Sequence, residues 1–416
     1  MPAVRWNKAR KIATLALVGV AFVFGVLWWR LGEPHYVRMV LESPRSGRCQ
    51  QTLRGEDVRE SLRLAGGFLL AHQKPEGNFD YEYDFDTKAE SFDDSEVRQA
   101  GALWGIALLH ANAPSPELEA GIERGLAFFD GISRKVKGGR RCVAYDGAAQ
   151  GSTGTIALVA LSYIDYLRVR PAGMDGERFA RHRARLAEYL NQLEKSLRED
   201  GLFSGAFDTK SCAPRGEPSS YYDGEALLAL TKAAKYLDFP ELMPAVLRAA
   251  AAGKKHNIDE ALALDADSDT TKGYYQWSSM AFYELATMSG LSEGKEYGDT
   301  VLRLADWMID VHGTLWRLKN TGYAYEGIVV AYAIAAQRKD TARMAKLRCV
   351  IDVGMSRLLS WQVGGPLASP FARRGQADPL ARGGAMNDAR DPVLRIDVTQ
   401  HQAHAMVLTL RHVFSG

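Results

Sequence analysis

Apolar residues recur at the i, i+3, i+4 spacing of amphipathic helices along most of the chain, for example over 178–198 and 340–359. Strand-like alternation of β-branched residues is scarce, so the pattern predicts an all-α protein. Six further segments are rich in Ala, Leu and Gly, are apolar on nearly every face, and each follow a polar loop. Helices of this second kind must be buried, because they have no polar face to turn to water. These segments are 94–109, 151–164, 221–232, 273–286, 322–335 and 397–410.

The six apolar segments form an internal repeat. Their starts lie roughly 50 to 75 residues apart, and each gap holds a more charged helix, such as 116–129 or 292–311. Six buried inner helices with six amphipathic outer helices predict an (α/α)6 toroid, a barrel of six helical hairpins. In such a barrel the inner helices begin at one end, where unpaired N–H groups and polar loop residues gather. The alternatives are an irregular helical bundle and an open solenoid.

One local motif supports the toroid. The run 67–72 is followed by Gln73-x3-Gly77-x-Phe79, with a weaker echo in 193–203 (LEKSLREDGLF). This motif resembles the Gln-x3-Gly-x-aromatic turn of α-toroid proteins, the superfamily that contains triterpene cyclases. The general layout also looks like six-hairpin glycosidases and the toroid domains of polysaccharide lyases and uronyl epimerases. The resemblance implies the fold. The DxDD acid of polyene cyclisation is absent, which argues against terpene cyclisation.

The N-terminal segment predicts a membrane anchor. Residues 12–29 carry no charge, follow a cationic flank and end in Trp28, Trp29 and Arg30. We therefore expect a cytoplasmic N-terminus (1–11), a transmembrane signal anchor (12–30), a linker with the start of the domain (31–60) and the toroid domain (61–416). This predicts a single-pass protein of the cell inner membrane with a periplasmic domain. A cleaved signal peptide is the alternative, but the bulky end of the run does not suit cleavage.

Composition narrows the chemistry. A net charge of +2 without a basic stripe gives no basis for nucleic-acid binding. The four cysteines contain no CxxC pair, which disfavours a zinc site and is compatible with an oxidising compartment. Cys142 and Cys212 lie in similar polar loops, and we expect them to pair. The sequence has no P-loop, Rossmann fingerprint, GxSxG or HExxH motif, so we expect no cofactor and no metal.

The mouth of the predicted barrel supplies acid–base candidates. Glu225 and Glu326 each lie in the first turn of an apolar helix beside tyrosines, where burial favours a raised pKa and a general acid, although helix capping is an equal alternative. Asp397 and His401 share a helix face with His404, an arrangement suited to proton transfer, to a buried hydrogen-bonded network or, with a further ligand, to a partial metal site. The predicted catalytic residues are Glu225, Glu326, Asp397 and His401.

Further polar and aromatic residues at the same end predict a substrate-binding surface. Arginines there either hold a substrate carboxylate or bridge the acids, while Tyr and Trp can stack on sugar rings and hydrogen bond to them. The predicted binding residues are Asp94, Arg98, Tyr221, Tyr222, Asp223, Gln276, Trp277, Tyr323, Arg395, Gln400 and His404.

Together these features predict a membrane-anchored carbohydrate-active enzyme that acts on an envelope or exported polysaccharide, either a glycoside hydrolase or a uronyl lyase or epimerase. Its expected partners are a polysaccharide or oligosaccharide substrate, the inner membrane and envelope polysaccharide machinery. One alternative is a non-catalytic toroid that binds glycan or a partner within a synthesis or export machine. Another is an enzyme that acts on an isoprenoid or peptide substrate.

Overall fold

The computed structural model describes residues 34–91, 93–145, 147–170 and 173–414. The predicted anchor at 12–30 lies outside these residues and stays a prediction. Within the described ranges, no helix has both the length and the apolar character needed to cross a membrane.

Helices dominate the described chain, as the periodicity predicts. The α-helices are α1 Pro34–Glu42, α2 Gly55–Ala71, α3 Glu96–Asn112, α4 Pro116–Gly131, α5 Thr153–Val169, α6 Gly176–Ser196, α7 Ser220–Tyr236, α8 Met243–Gly253, α9 Ala261–Leu264, α10 Asp269–Ala286, α11 Gly294–Asp310, α12 Gly322–Gln337, α13 Thr341–Ser360 and α14 Ile396–His412. A π-helical segment, Lys254–Glu260, joins α8 to α9.

Six of these helices close a ring. In chain order α3, α5, α7, α10, α12 and α14 each pack against the next, and α14 packs against α3. These are the six apolar segments of the sequence, and their side chains are almost entirely buried. The outer helices α2, α4, α6, α8, α11 and α13 pack against the inner helices that follow or precede them. The (α/α)6 toroid is therefore confirmed. Because each inner helix returns through an outer one, the inner helices run parallel and begin at one end, the mouth.

The turn that carries the family resemblance is a repeated building block. Gln73 bridges to Phe79, and Gly77 between them has a φ of +107°, which favours glycine. The Phe79 amide donates to Oε1 of Gln99, the fourth residue of α3, at 2.7 Å. The weaker echo repeats the arrangement, because Leu197 bridges to Phe203. Each outer helix of this kind is thus fastened to the start of the next inner helix.

The same device recurs at the last inner helix. There Gln362 bridges to Ala385, and the Ala385 amide donates to Oγ1 of Thr399 at 3.0 Å. Thr399 is again the fourth residue of its helix. The polar residue at this position therefore ties the preceding turn to the inner helix in at least two repeats that lie far apart in the sequence.

The loops contain short strands. The helical periodicity did not predict these strands. They are β1 Glu82–Asp84, β2 Ala89–Glu90, β3 Ser133–Val136, β4 Arg140–Val143, β5 Gln150–Ser152, β6 Ala206–Asp208, β7 Pro214–Arg215 and β8 Val393–Arg395, and none is longer than four residues. Strands so short leave no alternation to detect, so only the pairing shows them. The strands form three sheets, with the orders β2–β1–β8, β3–β4 and β5–β6–β7. β5 and β8 lead directly into α5 and α14, so they fix loops at the mouth.

Two disulfides fasten the outer layer. Cys142 pairs with Cys212, which confirms the expected bond, and Cys49 pairs with Cys349 across 300 residues. The second bond ties the segment before α2 to α13, the last outer helix. Asp352 on α13 strengthens this seam, because its carboxylate accepts from the amides of Thr52 and Leu53 at 3.0–3.1 Å. The first and last hairpins are thus covalently joined.

Candidate active site

A buried carboxylate and two imidazoles meet where α12 and α14 face each other at the mouth. Oε1 of Glu326 lies 3.0 Å from Nδ1 of His401 and 3.2 Å from Nδ1 of His404. The Glu326 side chain is fully buried and His404 nearly so, whereas His401 keeps 23% of its side-chain surface accessible. His401 therefore connects the buried acid with the mouth. Because Glu326 faces Nδ1, Nε2 of His401 is the nitrogen that can exchange a proton with a ligand.

The three groups divide their charge. Burial would raise the pKa of Glu326, but the charge and proximity of the two histidines hold it below 4.5. Burial likewise opposes protonation of His401, yet attraction and hydrogen bonding from Glu326 raise its pKa above 6.5. His404 shows the opposite outcome, because burial outweighs Glu326 and lowers its pKa. The surroundings therefore favour the ionised form of Glu326, the protonated form of His401 and the neutral form of His404.

Two tryptophans support the imidazoles from below. The Trp104 ring meets His404 edge-on at 4.7 Å between centroids, and the Trp277 ring meets His401 at 5.7 Å. The two indoles also contact each other at 5.7 Å. Trp277 reaches this position because α7 has Gly224 beside it, where an added Cβ would come within 2.5 Å of the Trp277 Cβ. Both histidine rings are thus held in place by packing.

Glu225 is a second buried acid at the mouth, and its environment is different. No described residue donates a hydrogen bond to its Oε2. The Glu225 carboxyl group and the Tyr222 ring pack against the backbone of Gly154 in α5, where an added Cβ would lie 2.4 Å from Oε2 of Glu225. Burial alone raises the pKa of Glu225 well above 4.5. Burial therefore favours the protonated, neutral form of Glu225.

Asp397 belongs to a charged cluster on the rim. Arg395 donates to both of its oxygens, at 3.0 and 2.6 Å, and Arg98 approaches within 3.3 Å. Both guanidinium groups lie over the Tyr81 ring, at 5.2 and 5.6 Å. Glu82 completes the cluster, 3.7 Å from Arg395, through the pairing of β1 with β8. Two arginines therefore balance the negative charge of Asp397. Its carboxylate belongs to a salt-bridge network that lies beside His401 and Glu326.

The remaining predicted residues fall into two groups. Tyr221, Tyr222 and Tyr323 lie at the mouth and keep part of their surface accessible, and Asp94 is exposed on the rim. Asp223 is buried, and its carboxylate accepts a hydrogen bond from the amide of Phe203 in the second copy of the recurring turn. Asp223 therefore fastens its turn as Gln99 fastens the first one. The last two predicted residues, Gln276 and Gln400, are also buried.

Gln400 lies between helices. Its side chain packs against Gly101 and Gly105 of α3, where an added Cβ at Gly105 would come within 2.8 Å of its Cγ. The participation of every predicted residue in substrate binding or catalysis stays a prediction.

A further polar network, which the sequence analysis did not predict, lies beneath the mouth. Trp104 donates from Nε1 to Oδ2 of Asp165 at 2.7 Å, and Lys232 donates to the same oxygen. Arg168 lies 3.3 Å from the other oxygen. The detectable signal was the presence of an acid and a lysine within otherwise apolar helices. Through Trp104, this network contacts the ring of His404.

No protein-family model matches the sequence, and neither does any curated protein. Solved structures do resemble the chain. Cellobiose 2-epimerase from Bacillus thermoamylovorans has a TM-score of 0.60 and 11% identity, covering 86% of this chain and 99% of its own. A family 76 α-mannanase from Bacteroides thetaiotaomicron has a TM-score of 0.56 and 10% identity, covering 87% and 97%. A D-mannose isomerase has a TM-score of 0.56 and 13% identity, covering 85% and 97%. These likenesses establish the fold, an α/α toroid.

Proposed function

We propose that this protein is a carbohydrate-active enzyme, held at the cell inner membrane by residues 12–30, in which His401 transfers protons to and from a sugar. The observation that carries the proposal is the contact between His401 and the buried Glu326 at the mouth. Solved neighbours in the same fold are named as sugar epimerases, a mannose isomerase and α-mannanases, and one α-1,6-mannanase is seen in complex with α-1,6-mannotriose. This supports a carbohydrate substrate.

The chemistry of the pair suits epimerisation or a related elimination. Such reactions begin when a base removes a proton from a carbon next to a carbonyl or carboxylate. A histidine whose pKa is raised by a neighbouring carboxylate can take up a proton as a base and return it as an acid. Glu326 orients the ring through Nδ1 and stabilises the imidazolium that forms. Tyr221, Tyr222 and Tyr323 would offer polar aromatic faces to the sugar.

Incubation of the full-length protein with reducing oligosaccharides and uronate-containing polysaccharides in D2O tests this proposal. Exchange of a sugar C–H for deuterium, followed by NMR, reports proton transfer whichever product accumulates. We expect His401→Asn to reduce exchange by about 10²–10⁴-fold, the usual contribution of a general acid or base. His256→Asn is a matched control, because His256 forms a similar histidine–glutamate pair, 2.7 Å from Glu260, in the outer layer. Undiminished exchange in His401→Asn would contradict the assignment.

Glycoside hydrolysis is the second candidate, and Glu225 favours it. A neutral buried carboxyl group is the state that a general acid needs to protonate a leaving group. Release of reducing ends from α-mannan or envelope polysaccharide, abolished by Glu225→Gln, would support hydrolysis. Glycan binding without exchange or cleavage would instead support the non-catalytic alternative.

A further inference from the structure

One side of the mouth exposes a cluster of large apolar side chains. Leu264 is 90% exposed, Leu318 59%, Trp316 51% and Val311 49%. We name these four residues the apolar rim. They are four of the seven large hydrophobic residues that are exposed in the described part of the chain, although they occur only at the end of α9 and in the segment after α11. Such a concentration is unusual for a surface that faces water alone.

The two segments that carry the apolar rim are held together. Asp267 accepts from His312 at 2.6 Å and from Arg317 at 3.1 Å, which joins the loop after α9 to the loop after α11. Trp307 adds a bond from Nε1 to the carbonyl of Ala266 at 2.7 Å. The apolar rim is therefore a preformed surface and needs no rearrangement to bind a partner.

This surface adjoins the candidate active site. The loop that carries Leu318 continues to Asn320, whose side chain accepts from the amide of Gly322, the first residue of α12. The same side chain donates to Oε1 of Gln402 on α14 at 3.0 Å. α12 and α14 carry Glu326 and His401. A partner that covers the apolar rim would therefore lie beside the mouth.

The start of the described chain lies at the same place. His35 is buried, and its ring approaches the backbone of Leu315, which lies between Val311 and Trp316 in the segment after α11. Arg30, the end of the predicted anchor, lies five residues before His35, and five residues span at most about 18 Å. A bilayer that holds the anchor is therefore within reach of the apolar rim.

We propose that the apolar rim rests in the interfacial layer of the lipid bilayer to which the chain is anchored, so that the mouth opens beside the membrane surface. Tryptophan and leucine are side chains that enter this layer readily. The two cations beside Trp316 and Leu318 are paired, Arg317 with Asp267 and Lys319 with Asp388. Insertion of apolar side chains therefore dominates, and zwitterionic lipid is sufficient. This proposal rests on the proposed anchor for its location, and it implies that the substrate glycan is met at a lipid surface.

Depth-dependent quenching in proteoliposomes tests the apolar rim with the full chain. Both disulfides occupy the four native cysteines, so Leu318→Cys introduces a single thiol for an environment-sensitive fluorophore. In phosphatidylcholine vesicles we expect a blue-shifted emission that brominated lipid quenches. Asn112→Cys is the matched control, because Asn112 is exposed at the end of α3 opposite the mouth, and its label should not be quenched. Equal, weak quenching at both positions would overturn the proposal.

A second variant separates insertion from mere proximity. With the label at Val311→Cys, the substitutions Leu264→Glu and Leu318→Glu should abolish quenching while the protein stays with the vesicles during carbonate extraction. Release of the protein by carbonate would refute the anchor. Quenching measured before the extraction would still show whether the apolar rim inserts into the lipid. Cross-linking between two Leu318→Cys chains, in place of quenching, would assign the surface to a second copy and overturn the lipid proposal.

Discussion

The two ends of the barrel interior treat a buried carboxylate in opposite ways. Beneath the mouth, Asp165 is fully buried and receives Lys232, Arg168 and the Trp104 indole, and these partners outweigh burial and lower its pKa to about 2. At the mouth, Glu225 is as deeply buried and no described residue bonds to its Oε2, so burial raises its pKa. An uncompensated buried acid costs stability, and such costs concentrate at functional sites. The contrast supports a structural role for the network around Asp165 and is consistent with the proposed chemistry at the mouth.

Glu326 stands between these extremes. Its Oε1 has two histidine partners, while no described residue bonds to its Oε2. Its partners are histidines, whose ordinary pKa of about 6.5 lies near neutrality, in contrast to the lysine and arginine that pair with Asp165. Trp104 joins the two regions, because it donates to Asp165 and packs on His404. The lower network therefore positions the upper one.

The largest effect is expected for Asp165→Asn. The substitution leaves Lys232 buried without its carboxylate, and we expect the free energy of unfolding to fall by about 3–5 kcal/mol, measured by urea denaturation. Because the folded pKa of Asp165 lies below 3.8, its stabilisation is present above about pH 4 and is lost as the pH falls towards 2. The variant should lack that acid-sensitive component.

Two comparisons delimit this expectation. Asp259→Asn removes an exposed partner of Arg303 and should cost about 0–1 kcal/mol. The double variant Asp165→Leu with Lys232→Met should recover most of the loss, since it removes both charges. A loss below about 1 kcal/mol for Asp165→Asn would mean that the lower network is not the structural element proposed here.

Much of the fold can be predicted from the sequence, because apolar residues on nearly every face distinguish six helices from their amphipathic neighbours. The ring follows from their number and spacing. Glu326 and His401 were both predicted as catalytic residues, but their contact with each other could not be predicted. It depends on how α12 packs against α14. Asp223 was nominated as a mouth residue, but its carboxylate fastens the turn at Phe203. One residue along a helix rotates a side chain by about 100°, so loop proximity does not determine its direction.

A smaller effect is expected for Glu225→Gln. In the wild type the unfolded chain ionises Glu225 above about pH 4.5 while the folded protein keeps the proton, so stability falls with rising pH by about 1.4 kcal/mol per unit until the folded pKa is reached. The amide cannot ionise, and the variant should lose this slope and be more stable than the wild type at neutral pH. Glu199→Gln, at an exposed position, should leave the slope intact. An unchanged slope in Glu225→Gln would show that Glu225 is ionised or partnered when folded.

The smallest effect concerns proton affinity alone. Glu326→Gln removes the charge that raises the pKa of His401, while burial, which opposes protonation, remains. The pKa of His401 should therefore fall, and a pH titration of the histidine ring protons by NMR measures it, with His401→Asn to assign the resonance. His256 should titrate as before, because its partner is Glu260. If His401 keeps its wild-type pKa in Glu326→Gln, the arginine–aspartate cluster around Asp397 governs its protonation, and Glu326 has no role in tuning the acid–base group.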